Sequence, residues 1–191
     1  GLPRERVLGS GGLLDSVRFR CLLADRFHVR PSEVDAIVLG EHGERAVPLF
    51  SRVRVHGRPM SLSPEERTQI QAELKGISMR VIAGKGGTAF GPAGATASLL
   101  HALMSRSLSV VPASVVLQGE YGIRNIALSV PVTVSEGRIL RVEDWSLDPE
   151  EVANLQAAAH DLGEFAEDAS VVLGLAVRHT TLEKVATSAA R

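Results

Sequence analysis

Glu136-Gly137, a turn dipeptide, stands between the apolar run Ile126–Val134 and a second run, Arg138–Val142. A connection this short joins neighbouring strands only in antiparallel fashion, because a parallel return needs a crossover of about a dozen residues or more. The chain therefore carries a hairpin, and the sheet built on it is expected to be mostly antiparallel. Further strands are expected at Ser114–Gln118, at the short apolar run Val34–Leu39, and at Pro48–His56, where apolar and polar residues alternate as on a half-buried strand. Helices are announced as clearly. Ser63-Pro64 with Glu66, and Asp148-Pro149 with Glu151, each combine a cap, a proline at the first helical position and the returning acid of a capping box. The first opens a helix with Ile70, Leu74, Ile77 and Val81 on one face through to Ala83. The second opens a seam of Val152, Leu155, Ala159, Leu162, Ala166, Ala169 and Leu173, expected to pack on a sheet. Leu13–Phe27 reads as a helix with a stripe of Leu14, Val17 and Cys21, widened by Leu22, Leu13 and Ala24, and Pro92–Arg106 as a helix of small residues. Helices grouped between returning strands give an α+β fold, a mostly antiparallel sheet with packed helices.

At 191 residues the chain is expected to form one large domain, residues 1–173, followed by a tail, 174–191, that is polar, aperiodic and loosely ordered. It opens on Gly-Leu-Pro, which reads as the middle of a loop, as at a truncation. The net charge is −1 with both signs interspersed, so no nucleic acid or other polyanion is expected as a partner. No apolar run reaches the roughly 18 residues that span a bilayer, and no membrane partner is expected. Cys21 is the single cysteine, which removes an internal disulfide and any cysteine-based metal site and is consistent with a reducing cytoplasm. No metal site is expected.

Gly84-Lys85-Gly86-Gly87-Thr88-Ala89 matches the dinucleotide fingerprint G-x-G-x-x-G/A. The context contradicts it. The glycines follow a capped helix with an unbroken apolar face, not a strand, and no acid lies about 20 residues on to hold a ribose hydroxyl, since Ala97–Leu117 contains none.

The chemistry concentrates elsewhere. Asp15 and Arg18, three apart on a helix, point to one side, and by themselves would be a surface ion pair worth a few tenths of a kcal/mol. His42 lies between two glycines directly after the apolar run 34–39. A histidine held by a carboxylate keeps one tautomer and is stabilised as imidazolium, which makes a general acid–base. An arginine beside it offers a planar fork for a substrate carboxylate. Combined, the three describe a site for an acid with a hydroxyl or keto group next to its carboxylate.

These segments resemble the lactate/malate dehydrogenase family. GLPRERVLGSGGLLDSVRFR is similar to the segment that opens that family's substrate domain, with its L-D-x-x-R-x-R helix, and LGEHGERAVPLFSRVRV to its active-site loop. KGGTAFGPAG, YGIRNIALSVPV and the helix start 147–151 resemble later landmarks in the same order, so the resemblance runs from Gly1 to about Leu173. It implies the fold of the family's C-terminal domain, with His42 as acid–base, Asp15 as its carboxylate partner, Arg18 as the clamp on the substrate's C1 carboxylate, and Thr88 lining the pocket. It implies a small dicarboxylate or 2-keto acid as substrate, NAD as cofactor, and a homo-oligomer. The N-terminal Rossmann half, with the glycine fingerprint and the mobile loop that separates malate from lactate, has no counterpart, so cofactor-binding residues are unassigned and this chain alone is expected to be inactive. GGTAFGPAGA and VVPASVVLQGEYG are more like the malate branch that shares the lactate-enzyme architecture. Two alternatives stay open: lactate specificity, and a non-enzymatic binding or assembly module that retains the fold.

Overall fold

The computed structural model describes residues 2–174 and 179–182. Among these residues four α-helices and nine strands follow in the order α1 (Gly11–Phe27), β1 (Val34–Asp35), β2 (Val38–Gly40), β3 (Ala46–Pro48), β4 (Arg54–Val55), β5 (Arg58–Pro59), α2 (Pro64–Lys85), α3 (Phe90–Met104), β6 (Ser109–Gln118), β7 (Ile123–Ser135), β8 (Arg138–Val142), α4 (Pro149–Val172) and β9 (Thr181–Leu182). Every strand pair is antiparallel. The fold is α+β, as expected, and β7 is its spine. One edge of β7 is filled by β6 over most of its length, while the other is divided among β9 at Ile123–Arg124, β2 at Ser129 and β8 at Val132–Ser135. A separate small sheet runs β1-β4-β5.

The Glu136-Gly137 turn joins β7 to β8 as its length requires, with both residues at positive φ. β6 begins five residues before the expected Ser114, passing through a proline. Pro112 faces Pro131 in the register. The Pro131 carbonyl accepts the Glu143 N–H from the opposite edge (2.8 Å). The facing prolines thus occupy a pair in which neither nitrogen is required to donate between β6 and β7.

Two expected strands are broken, each for a visible reason. The run 34–39 splits because Val34 pairs into the small sheet and Val38–Gly40 into the large one. The run 48–56 is interrupted by a 3-10 turn, Phe50–Arg52, where the Ser51 N–H and hydroxyl both donate to the buried Glu151 carboxylate at the start of α4 (3.0 and 2.6 Å). That N–H is not available to a ladder.

Both capping boxes form, at Ser63/Glu66 and Asp148/Glu151. α4 buries Leu155, Ala158, Ala159 and Gly163 against the sheet, but Ala166, Ala169 and Leu173 of the expected seam are exposed. A helix of 24 residues is roughly 36 Å long and overruns the sheet it packs on. Of the tail 174–191, residues 175–178 and 183–191 lie outside the described residues, and Thr181–Leu182 pair with β7.

The largest departure concerns α1. Of the expected stripe Leu13, Leu14 and Ala24 are buried, but Val17 and Cys21 are exposed. The helix is rotated so that Gly12, Ser16, Phe19 and Leu23, at spacing 4-3-4, lie against the rest of the protein. Phe19 and Leu23 are fully buried beside Phe50, whose ring meets Phe19 edge-on at 5.3 Å. Burying two such side chains contributes about 1.5–3 kcal/mol each. At the other end Gly12 permits a close approach: a Cβ there would overlap the Ser129 hydroxyl on β7 and lie 2.5 Å from Ser129 Cβ. The hydroxyl could rotate away, but the Cβ could not. Gly12→Ala is therefore expected to lower stability by about 1–3 kcal/mol in denaturant unfolding, and Ser129→Gly in the same chain to recover most of the loss. Additive behaviour of the two changes would contradict this contact.

Candidate active site

Asp15 follows from the rotation of α1. With Gly12 and Ser16 turned to the sheet, the adjacent stripe Gly11, Asp15 and Arg18, at spacing 4-3, faces the loop that leaves β2. That loop starts at Gly40, whose φ of 85° and proximity to the Arg45 carbonyl (2.8 Å from where a Cβ would stand) leave no room for a side chain. The turn brings His42 back over the first turn of α1. Gly11 accommodates it, since a Cβ at Gly11 would sit 2.7 Å from both Cβ and Cγ of His42.

The two segments meet in a hydrogen bond of 2.6 Å between His42 Nδ1 and Asp15 Oδ2. Asp15 Oδ1 accepts from an Arg18 NH group at 3.3 Å. The Asp15 side chain is only 8% exposed, whereas His42 is 47% exposed. One end of the imidazole is therefore tied to a buried acid and the other is open. An ionised carboxylate only accepts, so Nδ1 carries the hydrogen and Nε2 is the lone-pair nitrogen of the neutral ring. The bond to Asp15 raises the His42 pKa above the ordinary value. Partial burial and the Arg18 charge act in the opposite direction, and Asp15 and Glu41 add attraction. The loop is tied on both sides, by Arg45 to Asp161 on α4 (2.6 Å) and Glu44 to Lys75 on α2 (3.6 Å).

The structure thus brings Asp15, Arg18 and His42 together. Thr88 lies exposed between α2 and α3, with no hydrogen bond to any of the three. Clefts of about 430 and 230 Å³ are lined by other residues, around Arg20, Arg52 and Trp145 in the first and Arg67 and Glu150 in the second. Of the trio, Asp15 and Arg18 are largely covered and His42 is half-exposed. An imidazole with a free Nε2 can take or return a proton there, and the guanidinium NH groups not facing Asp15 can hold an anion beside it. Sequence reasoning missed Gly11, Gly12 and Ser16 as contributors. The expected helix begins at Leu13, whereas the glycines form its first turn.

The glycines at 84–87 do not fit a dinucleotide. They end α2, with Gly86 as a left-handed C-cap (φ 75°), so the strand-to-helix turn that cradles a pyrophosphate is not what they form. Among the described residues no three His, Cys, Asp or Glu side chains are grouped to hold a metal, and no helix is long and apolar enough to cross a membrane.

Comparison with known proteins is consistent across sequence and structure. Residues 13–170 match the family described as lactate/malate dehydrogenase, alpha/beta C-terminal domain. A malate dehydrogenase of Halobacterium salinarum is 43% identical over 159 residues, covering 83% of this chain and 52% of that protein. An L-lactate dehydrogenase 1 of Staphylococcus aureus is 34% identical over 176 residues, covering 88% and 56%. The solved malate dehydrogenase of Salinibacter ruber superposes with a TM-score of 0.86 at 28% identity, covering 91% of this chain and 58% of that one. The chain spans about half the length of the curated relatives it matches.

A raised pKa for His42 has a consequence for stability. The fold favours the protonated ring, so its contribution is fully present below the unfolded value of about 6.5 and is lost as pH rises through the higher folded value. Urea unfolding at a series of pH values is expected to show this loss in the wild-type chain. In Asp15→Asn that component of the pH dependence should vanish, and persistence of the same slope would break the assignment.

Proposed function

The chain belongs to the lactate/malate dehydrogenase family, through its α/β C-terminal domain, and from that premise we propose that it is the substrate-binding half of a 2-hydroxy acid dehydrogenase acting on malate and oxaloacetate. The observation that carries this reading is the short bond between His42 and a buried Asp15 that also meets Arg18. Arg18 binds the substrate carboxylate through its remaining NH groups. His42, oriented by Asp15, receives the hydroxyl proton at Nε2 when the alcohol is oxidised and returns it in the reverse direction. Asp15 stabilises the imidazolium in between. An imidazole can both take and return a proton around neutrality, so it serves both directions. Thr88 is assigned to the pocket wall only by family resemblance. NAD as hydride carrier and a homo-oligomeric assembly likewise follow from family membership alone.

The relatives favour malate over lactate: the malate dehydrogenase match stands at 43% identity and the lactate dehydrogenase match at 34%. Neither Asp15, Arg18 nor His42 separates the two, because each acts on the portion of the substrate that malate and lactate share.

Two measurements test the reading on the 191-residue chain. Oxalate or oxamate is expected to perturb the His42 ring resonances, and Arg18→Leu to abolish that response while leaving the fold intact. With NADH and oxaloacetate the same chain is expected to show no turnover, since a proton shuttle and a carboxylate clamp do not supply a hydride. A fold whose His42 ignores dicarboxylates at every concentration favours a binding or assembly module instead, and measurable oxaloacetate reduction would overturn the claim of inactivity.

A further inference from the structure

We propose that Ser16 is a positioning residue for the Asp15–His42 pair, its hydroxyl being the link that holds α1 at the distance from β2 at which the two side chains meet. The inference rests on the function proposed above and adds a residue to its site.

Ser16 is fully buried. Its Oγ donates to the Gly12 carbonyl one turn earlier in α1 (2.7 Å) and accepts the N–H of Val38 on β2 (2.9 Å). A serine bonding back to the carbonyl at i−4 is common in helices; here the same oxygen also receives a proton from another element. That second bond spans 22 residues of chain. Its two ends are the immediate neighbours of the site: Asp15 precedes Ser16, and β2 runs from Val38 through Gly40 into His42.

β2 meets β7 in the single ladder pair Gly40↔Ser129, and the Val38 N–H is satisfied by the serine. β3 pairs with its other edge. Only a hydroxyl meets the requirement at position 16, because the contact needs a donor toward Gly12 and an acceptor toward Val38 in one small buried group. Alanine leaves the Val38 N–H without its acceptor. A bond of 2.6 Å between Asp15 and His42 is sensitive to small shifts of either backbone, since hydrogen bonds weaken steeply with distance and angle.

The test follows the His42 titration by NMR in the full 191-residue chain, with Asp15→Asn marking the midpoint of an unpaired His42. In Ser16→Ala the midpoint is expected to fall most of the way to that of Asp15→Asn, while Ser16→Thr, which restores the hydroxyl, keeps it near wild type. If Ser16→Ala does not fold, Ser16→Cys takes its place, being near in size but a poor partner on both sides. A folded Ala or Cys variant with a wild-type His42 midpoint overturns the proposal and leaves Ser16 a merely structural residue. If Asp15→Asn itself leaves the midpoint unmoved, the pair is not what sets it, and the proposed function fails together with this inference. The two failures are thus told apart by which variant is silent.

Discussion

The seating of α1 on the sheet is the constraint from which the site follows. Two stripes run along this helix about 100° apart. Gly12, Ser16, Phe19 and Leu23 form one, and Gly11, Asp15 and Arg18 the other. The first stripe is bound at both ends, by the glycine against Ser129 at the N-terminal side and by two buried apolar side chains at the other. It fixes both the depth and the rotation of the helix. The second stripe has no freedom left once the first is set, and so its acid and its arginine are aimed by contacts that neither of them makes.

The electrostatics of the pair match that placement. A carboxylate as enclosed as Asp15 is costly unless its oxygens are bonded, and here each oxygen has its own partner, His42 on one and Arg18 on the other. The acid is buried but its partner ring is half open, so the proton that changes place in a general acid–base step does so at the water-facing edge while the compensating charge stays fixed inside. The arrangement separates orientation from reactivity. Asp15 decides which nitrogen carries the hydrogen, and Nε2 is left for whatever binds outside.

Much of this was legible in the sequence, and the parts that were not have physical reasons. The β7–β8 hairpin and both capped helices were legible because each depends on a few adjacent residues: a two-residue turn, or a cap with its acid three positions on. The pairing of Asp15 with His42 was readable from the family resemblance and as chemistry, from residue types whose combination makes sense, since nothing in 27 positions of separation predicts contact. The expected stripe on α1 placed Leu13, Leu14 and Ala24 correctly but misjudged Val17 and Cys21, because apolar periodicity counts those two as core and Gly12 and Ser16 as neutral. Hydrogen bonds and close backbone approach outweigh two modest hydrophobes there. The breaks in the runs 34–39 and 48–56 share a cause: distant partners, Val55 for the first and Glu151 for the second, take backbone or side-chain groups that a local pattern assigns to a continuous strand.

Arg18 gives the site a form of coupling that its distances alone do not display. Its positive charge opposes protonation of His42, whereas Asp15 favours it, and Asp15 touches both. An anion engaged by the guanidinium would offset that opposition, so anion binding at Arg18 and basicity of the ring would change together. Under the function proposed above, a substrate acid with its carboxylate on Arg18 would thereby make His42 a better proton acceptor for the hydroxyl presented to Nε2. An isolated histidine–aspartate pair lacks this dependence. It requires the arginine at the third position beyond the acid on the same helix face, within bonding distance of the carboxylate that orients the ring, which is what the spacing 11, 15, 18 supplies.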